Sequence, residues 1–465
     1  MIAVTGAALN LKQLARDIFA EALRSVDAAK AVRAAVQLER ARLKVFDDEF
    51  DLAACAGGVY AVAIGKAAGA MASALDDILG ARLKRGVVSA PPLSAPLPAL
   101  WQVFAGGHPL PNEASLAAGR AARALLRQAD RADALVLFLI SGGGSAMLEL
   151  PRDARLTLAD LQATNRALVT CGATIAEINA VRRALSASKG GGLAAHAAQA
   201  AQISLIISDT NPGAAAHVAS GPTYTPTNEP AGAIAHLLAR YQLRRQLPAA
   251  ILRTLDATHA GLARVDDDGP DTQAAHGLRR HHVLLDNERA KEAAAVAARA
   301  RGFAVEVCAG LLEAPVEVGC RELVARLLRQ RAPEGRGVCL VSGGEFICPV
   351  RGAGTGGRNL EAALRTAIEF EAHAAEIARR GWHVAALYAG TDGVDGNSPA
   401  AGACVDETTL ARARALGLSA PDFLARSDAY NFFRPLEDAI HTGPTGTNVR
   451  DLRVLLATTA GAAKD

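Results

Sequence analysis

The sequence predicts an α/β protein with a mostly parallel sheet, divided into two domains. Three observations carry that prediction. Short, continuous apolar runs such as ALVLFLI (134–140) recur along the chain, each ending in a Gly-rich turn. Ala/Leu/Arg stretches with helical spacing lie between them. At 465 residues the chain exceeds what one ordinary core holds.

Residues 11–43 carry helical spacing and predict one or two opening helices. VYAVAIG (59–65) reads as a buried strand entering a turn, and LKRGVVSA (83–90) and WQVFAG (101–106) as further strands. AQISLIISD (201–209) repeats the pattern and ends in an acid. Helices are expected at 113–130, 158–170, 173–186 and 192–200. Residues 256–282 are polar, Gly/Pro-bearing and aperiodic, so they read as a loop separating domains at 1–255 and 283–465. Beyond it, HVLLD, FAVEVC, GVCLVSGGE, FICPV, HVAALYAGTDG and GACVD read as strands. Helices are expected at 287–301, 316–331 and about 358–379.

Composition narrows the function class. Net charge is +3 without a basic block and aromatics make up 4%, so neither a nucleic-acid partner nor a base-stacking surface is implied. The seven cysteines form no CxxC pair and read as reduced, buried side chains. No apolar run approaches the ~20 residues a membrane span needs, and the first residues lack a signal-peptide layout. A cytoplasmic enzyme without a membrane partner is the expectation; assembly into a homo-oligomer stays open.

The chemistry concentrates in the turns. TGPTGTN (442–448) offers backbone N–H groups and small hydroxyls, a surface suited to an anion. SGGGSA (141–146), SKGGG (188–192), SGGE (342–345), GAGTGGRN (352–359) and AGTDGVDGNS (389–398) share that character. The phosphate- or carboxylate-binding candidates are Ser141, Gly142, Gly143, Gly144, Ser145 and Lys189 in the first half. In the second they are Gly343, Gly344, Gly356, Gly357, Asn359, Thr445, Gly446, Thr447 and Asn448. Lys66 follows a strand at a helix start, where its ammonium can meet a phosphate as a point charge. Arg358 opens a helix, where a cation opposes the helix dipole unless an anion neutralises it. Asp209, Asp392 and Asp395, with Glu345, are the carboxylates at strand ends and the candidates for Mg²⁺. His108 lies between Gly and Pro on a loop that can aim its ring.

AIGKAA, GGHPLP, ISGGGSAML, INAVRRALSASKGGGLA, IISD with ASGPT, SGGE with GGRN, AGTDGVDG, YNFF and TGPTGTN occur in one order along nearly the whole chain. In this the sequence resembles the glycerate 2-kinases that pair a DUF4147 with a MOFRL domain. The resemblance implies a Rossmann-like first domain, a second α/β domain, and an active site in the cleft between them. It also implies ATP- and Mg²⁺-dependent phosphorylation of D-glycerate on its 2-hydroxyl, with Lys66 and Arg358 in the active site. The chain departs from the family pattern at Asn112, at Gly213 and Ala214, at Leu360 and at Pro399. Two alternatives accompany this expectation. One is an NAD(P)H-dependent hydroxypyruvate reductase, suggested by the GxGxxG spacing at 352–357. The other is a sugar-acid or nucleotide sensor without turnover.

Overall fold

The computed structural model describes residues 10–53, 55, 57–224, 232–259, 277–310, 312–331 and 336–459. The chain divides into two compact units. One holds Ala28–Leu284; the other joins the stretch ending at Asp27 to the stretch beginning at Leu285.

In the unit Ala28–Leu284, β1 (Val36–Glu39), β2 (Arg42–Val45) and β3 (Asp48–Asp51) pair as a small antiparallel sheet. The sequence reading extended helix to 43, but only Leu11–Ser25 and Ala28–Ala35 are helical. Leu43 and Val45 are buried while Arg42 and Lys44 are exposed, the period-two alternation of a half-buried strand. That signal was present and was masked by the helix-forming residues around it.

The main sheet follows from six apolar segments: β4 (Val59–Ile64), β5 (Leu83–Ala90), β6 (Trp101–Ala105), β7 (Leu135–Ile140), β8 (Ala201–Ile207) and β9 (Arg279–Leu285). Their order is β6-β5-β4-β7-β8-β9, and the β6/β5, β5/β4, β4/β7 and β7/β8 pairs are all parallel. Every residue of β4 and β7 is buried, which explains their lack of polar alternation. Helix Glu113–Arg131 seals one face, with Ala118, Ala122, Leu126 and Ala129 packed on Val62, Val136 and Phe138. The chain runs outward from β4 in one direction and then, starting with β7, in the other. The reversal lies between β4 and β7, the Rossmann arrangement in which ligands bind outside the carboxyl ends of the strands.

The second unit has a mixed sheet: β10 (Ala304–Val307), β11 (Val338–Gly344), β12 (Trp382–Gly390), β13 (Gly402–Asp406), β14 (Ala439–Ile440) and β15 (Asp451–Thr459). The order is β10-β11-β15-β12-β13-β14. Only β10/β11 is parallel; β15 runs antiparallel to both β11 and β12. Leu323, Leu327, Leu360, Leu364 and Phe370, from helices Val316–Arg329 and Arg358–Ala372, cover one face. Helices Leu11–Ser25 and Asn287–Ala300 cover the other. Leu11, Ala15, Ile18, Phe19 and Ala22 recur at helical spacing and form one buried stripe, and Asn10 caps the helix by accepting the Gln13 N–H.

Several expectations change here. The opening helix belongs with the second unit, and HVLLD forms the edge strand β9 of the first sheet, so the division differs from the expected 1–255 and 283–465. The 256–282 loop falls mostly outside the described residues. FICPV supplies only an isolated bridge from Ile347 to Pro315, and the long helix breaks at His373. Strand β15 had no counterpart among the expected strands.

Gly402 begins β13, where an added Cβ would lie 1.9 Å from the Tyr388 carbonyl oxygen. Because that obstacle is backbone inside a sheet, Gly402→Ala is expected to destabilise the protein by about 1–3 kcal/mol. A lowered urea midpoint at unchanged slope is the signature to look for.

Candidate functional site

In the unit Ala28–Leu284 the candidates gather at the carboxyl ends of β4 and β7. Gly65 leaves β4 at φ +107°, and a Cβ there would sit 2.3 Å from the Ser141 carbonyl oxygen. The close approach is used: Lys66 N–H donates to the Gly142 carbonyl at 2.9 Å, and Ser141 N–H donates to the Ile64 carbonyl at 2.9 Å. The Ser141 hydroxyl accepts from Ala67 N–H at 3.0 Å and donates to the Ile64 carbonyl at 3.2 Å. Fully buried, Ser141 ties the two turns together.

Gly143 marks the exposed side of this junction. A Cβ there would lie 3.3 Å from Lys66 Cγ and 3.1 Å from His108 Cδ2, so the lysine stem and the imidazole converge over the SGGGS turn. Ser145 Oγ lies 2.9 Å from Ser220 Oγ, and Ser220 donates to Asn179 Oδ1 at 3.1 Å. Asp209 is half-buried just past the end of β8.

Lys189 is buried. Its ammonium is buried against Glu149, and burial, only partly offset by that carboxylate, lowers its pKa. It holds SKGGG in place, as do Gly190 and Gly191, whose N–H groups donate to the Ser220 and Gly221 carbonyls at 3.0 and 2.7 Å.

The second unit centres on Arg358, the first residue of its helix. A cation at a helix start needs an anion beside it, and the protein supplies one. Arg358 Nε donates to Asp451 Oδ2 at 2.6 Å, and Nη2 donates to Asp451 Oδ1 and Glu345 Oε1, each at 2.9 Å. Burial opposes the guanidinium charge, but Asp451 and Glu345 raise its pKa above the ordinary value. Burial likewise opposes the Asp451 carboxylate, and Arg358 beside it brings its pKa below the usual range. Arg358 Nη1 has no partner among the described residues, and the side chain is 36% exposed. It lines a cleft of about 400 Å³ with Phe346, Val350, Gly356, Gly357, Glu361 and Asp395.

Asp395 is not an open ligand. Its Oδ1 accepts from the Asn359 N–H and Nδ2, and its Oδ2 accepts from the Leu360 N–H at 2.8 Å, so it caps the helix that Arg358 begins. These bonds also account for Asn359. Burial raises the Asp395 pKa to about 7, assisted by Asp451 and opposed by the Leu360 N–H. Asp392 and Asp451 share another corner: both have an oxygen within 4 Å of where a Gly390 Cβ would lie.

The TGPTGTN turn is exposed at Thr442, Gly443 and Pro444 and folds inward from Thr445 to Asn448. Thr445 Oγ1 donates to the Thr391 carbonyl at 2.6 Å, Thr445 N–H to the Asp392 carbonyl at 3.2 Å, and Thr447 N–H to Thr445 Oγ1 at 3.3 Å. Asn448 Oδ1 accepts from Arg450 N–H at 3.3 Å, and Gly446 takes the turn at φ +71°. Gly343 and Gly344 end β11 in register with Leu452 and Asp451, where the Gly343 carbonyl accepts from Arg453 at 2.8 Å. The GAGTGG turn does not form a dinucleotide loop. Space beside Gly352 and Gly354 is filled by Arg426 and Asp428, and Asp428 Oδ1 accepts the Thr355 N–H at 2.8 Å. Gly356 N–H donates to Asn397 Oδ1 at 2.8 Å.

The DUF4147 domain of unknown function matches residues 14–256, and the MOFRL family matches 338–451, its last residue being Asp451. The chain belongs to the DUF4147/MOFRL family of glycerate kinases. It is 34% identical to a human glycerate kinase, with 98% of this chain and 94% of that one covered. Against a D-glycerate 2-kinase from Thermotoga maritima the identity is 32%, over 85% of this chain and 89% of that one. A solved glycerate kinase structure from the same organism superposes with a TM-score of 0.75 at 29% identity, covering 96% and 99% of the two chains.

Two of the positions at which the chain was read as departing from the family pattern have clear local roles. Asn112 caps helix Glu113–Arg131, accepting from the Ser115 N–H at 2.9 Å. Leu360 is fully buried among apolar neighbours.

Sequence reasoning missed Asp451, Ser220 and Asn179. Asp451 could have been found as the one acid between TGPTGTN and an apolar run. Pairing of the two serines has no sequence signal.

The Asp395 shift has a testable sign. Between about pH 4 and 7 the folded carboxyl binds more protons than the unfolded one, so stability falls as pH rises through that window. Asp395→Asn is expected to flatten that part of the curve, as measured by urea unfolding at pH 5 and pH 7.

Proposed function

We propose that this protein phosphorylates D-glycerate on the 2-hydroxyl with ATP, giving 2-phosphoglycerate. The observation that carries this reading is the convergence of Lys66 and the SGGGS turn at the β4/β7 reversal of a Rossmann sheet. The 2-position is favoured by the name of the Thermotoga maritima relative, D-glycerate 2-kinase.

The chemistry asks for anion binding and charge neutralisation. Phosphoryl transfer has a transition state whose charge spreads over the transferring group, so positioning and electrostatics carry most of the acceleration. Lys66 supplies a point charge beside bare backbone, and Arg358 offers the two Nη1 donors left over from its bonds to Asp451 and Glu345. Because Asp451 orients the guanidinium, Arg358 needs little reorganisation to receive an oxyanion.

Mg²⁺ in such reactions is held by one or two carboxylates together with phosphate oxygens. Asp209 in one unit and Asp392 in the other are the candidate acids, Asp392 already accepting the Val394 N–H, while both Asp395 oxygens accept N–H donors. When bound, the metal neutralises phosphate charge.

The assay is ADP release from ATP and Mg²⁺ with D-glycerate, with the product identified by phosphorus NMR. Lys66→Ala is expected to lower kcat by at least ~100-fold with an unchanged melting temperature. Near-normal turnover by that variant would remove Lys66 from the mechanism, and 3-phosphoglycerate as product would overturn the 2-hydroxyl assignment.

A further inference from the structure

Two sequence motifs, INAVRR and ASGPT, have no role in the reading above. They meet at a chain of polar side chains. Ser220 Oγ lies 3.1 Å from Asn179 Oδ1 and 2.9 Å from Ser145 Oγ. Ser220 and Asn179 are buried, while Ser145 is half-exposed in the turn beneath Lys66.

Proton counting gives this chain a direction. The Asn179 oxygen can only accept, so the single Ser220 proton is donated to it. Ser220 then has only lone pairs to offer Ser145, and Ser145 must be the donor of the second bond. Its proton is therefore directed inward. Toward solvent Ser145 presents lone pairs alone, which repel a phosphate or carboxylate oxygen and attract an O–H.

The backbone around Ser220 is held to make this arrangement. Ala219 and Ser220 lie at φ +51° and +63°, a left-handed region that non-glycine residues rarely occupy. Gly190 N–H and Gly191 N–H clamp the same segment through the Ser220 and Gly221 carbonyls at 3.0 and 2.7 Å.

We infer that Ser145 is a hydroxyl-recognising acceptor, kept in that state by the positioning residues Ser220 and Asn179. This replaces its sequence assignment to anion binding. The inference rests on the proposed kinase reading for its ligands, which offer two sources of an O–H: the 3-hydroxyl of glycerate, which is not phosphorylated, and the ribose of the nucleotide.

Calorimetric binding tests this without requiring turnover, using D-glycerate against D-lactate, which lacks the 3-hydroxyl, and ATP against its 2′- and 3′-deoxy forms. The unaltered protein is expected to prefer one hydroxyl-bearing ligand by about tenfold, the size of one hydrogen bond. Ser145→Ala should abolish that preference while leaving the affinity for the deoxy ligand in place. Ser220→Gly suits the left-handed backbone, so it should weaken the same preference without lowering the melting temperature. A glycerate effect identifies the substrate as the source, and a ribose effect the nucleotide. Equal losses for hydroxyl and deoxy ligands in Ser145→Ala, or no preference in the unaltered protein, would overturn the inference. Hydroxyl-selective binding without ADP release would instead uphold it and reject the kinase reading.

Discussion

The second unit depends on a single buried carboxylate. Asp451 opens β15, is fully buried, and would be prohibitively costly there as a lone charge. Arg358 resolves this with a bidentate contact, and in doing so fixes the first turn of helix Arg358–Ala372 against the end of the sheet. Asn287 Nδ2 donates to the Asp451 and Val449 carbonyls at 3.0 and 2.6 Å, tying a second helix to the same point. The Thr391 N–H and hydroxyl both reach the Arg450 carbonyl, so the TGPTGTN turn is anchored beside it. The guanidinium is thus shared between fold and surface: its Nε and Nη2 bond to Asp451 and Glu345, and the side chain stays 36% exposed.

The first unit solves a similar problem with neutral groups. Two Gly-rich turns from adjacent parallel strands must approach closely to form one junction, and a Ser141 hydroxyl bridges them. That bond sets the height of Lys66 above the sheet. A methyl group on Gly65 would displace the Ser141 backbone, so the lysine's placement is decided by the residue before it.

Legibility in the sequence tracked how local the determinant was. Strands β4 to β8 and most helices were readable, because uninterrupted apolar runs such as LVLFLI and caps such as Asn112 act within a few residues. The short meander β1–β3 was hidden by Leu and Arg residues that favour helix, and β15 was overlooked although DLRVLLATT is as apolar as its neighbours. Lys66 and Arg358 stood out from their positions at helix starts. Whether a given Ser, Thr or Asp faces a ligand or its own backbone was not visible. Ser141, Lys189 and Asp395 are engaged by partners 36 to 77 residues away, a distance over which a single sequence carries no signal.

The position of β15 gives this architecture a temporal property. Residues 451–459 lie between β11 and β12, so the segments 338–344 and 382–390 are synthesised before the strand that joins them exists. Until it arrives, two long apolar strand edges have no hydrogen-bonding partner, the state in which nascent sheets are most exposed to wrong pairing. The helix Leu11–Ser25 waits longer still for the face it covers. The Ala28–Leu284 unit carries no such delay, since its strands accrete outward from β4 as they are made. Birth order along the ribosome therefore favours completion of the parallel sheet first, with the mixed sheet closing in one late, non-local step.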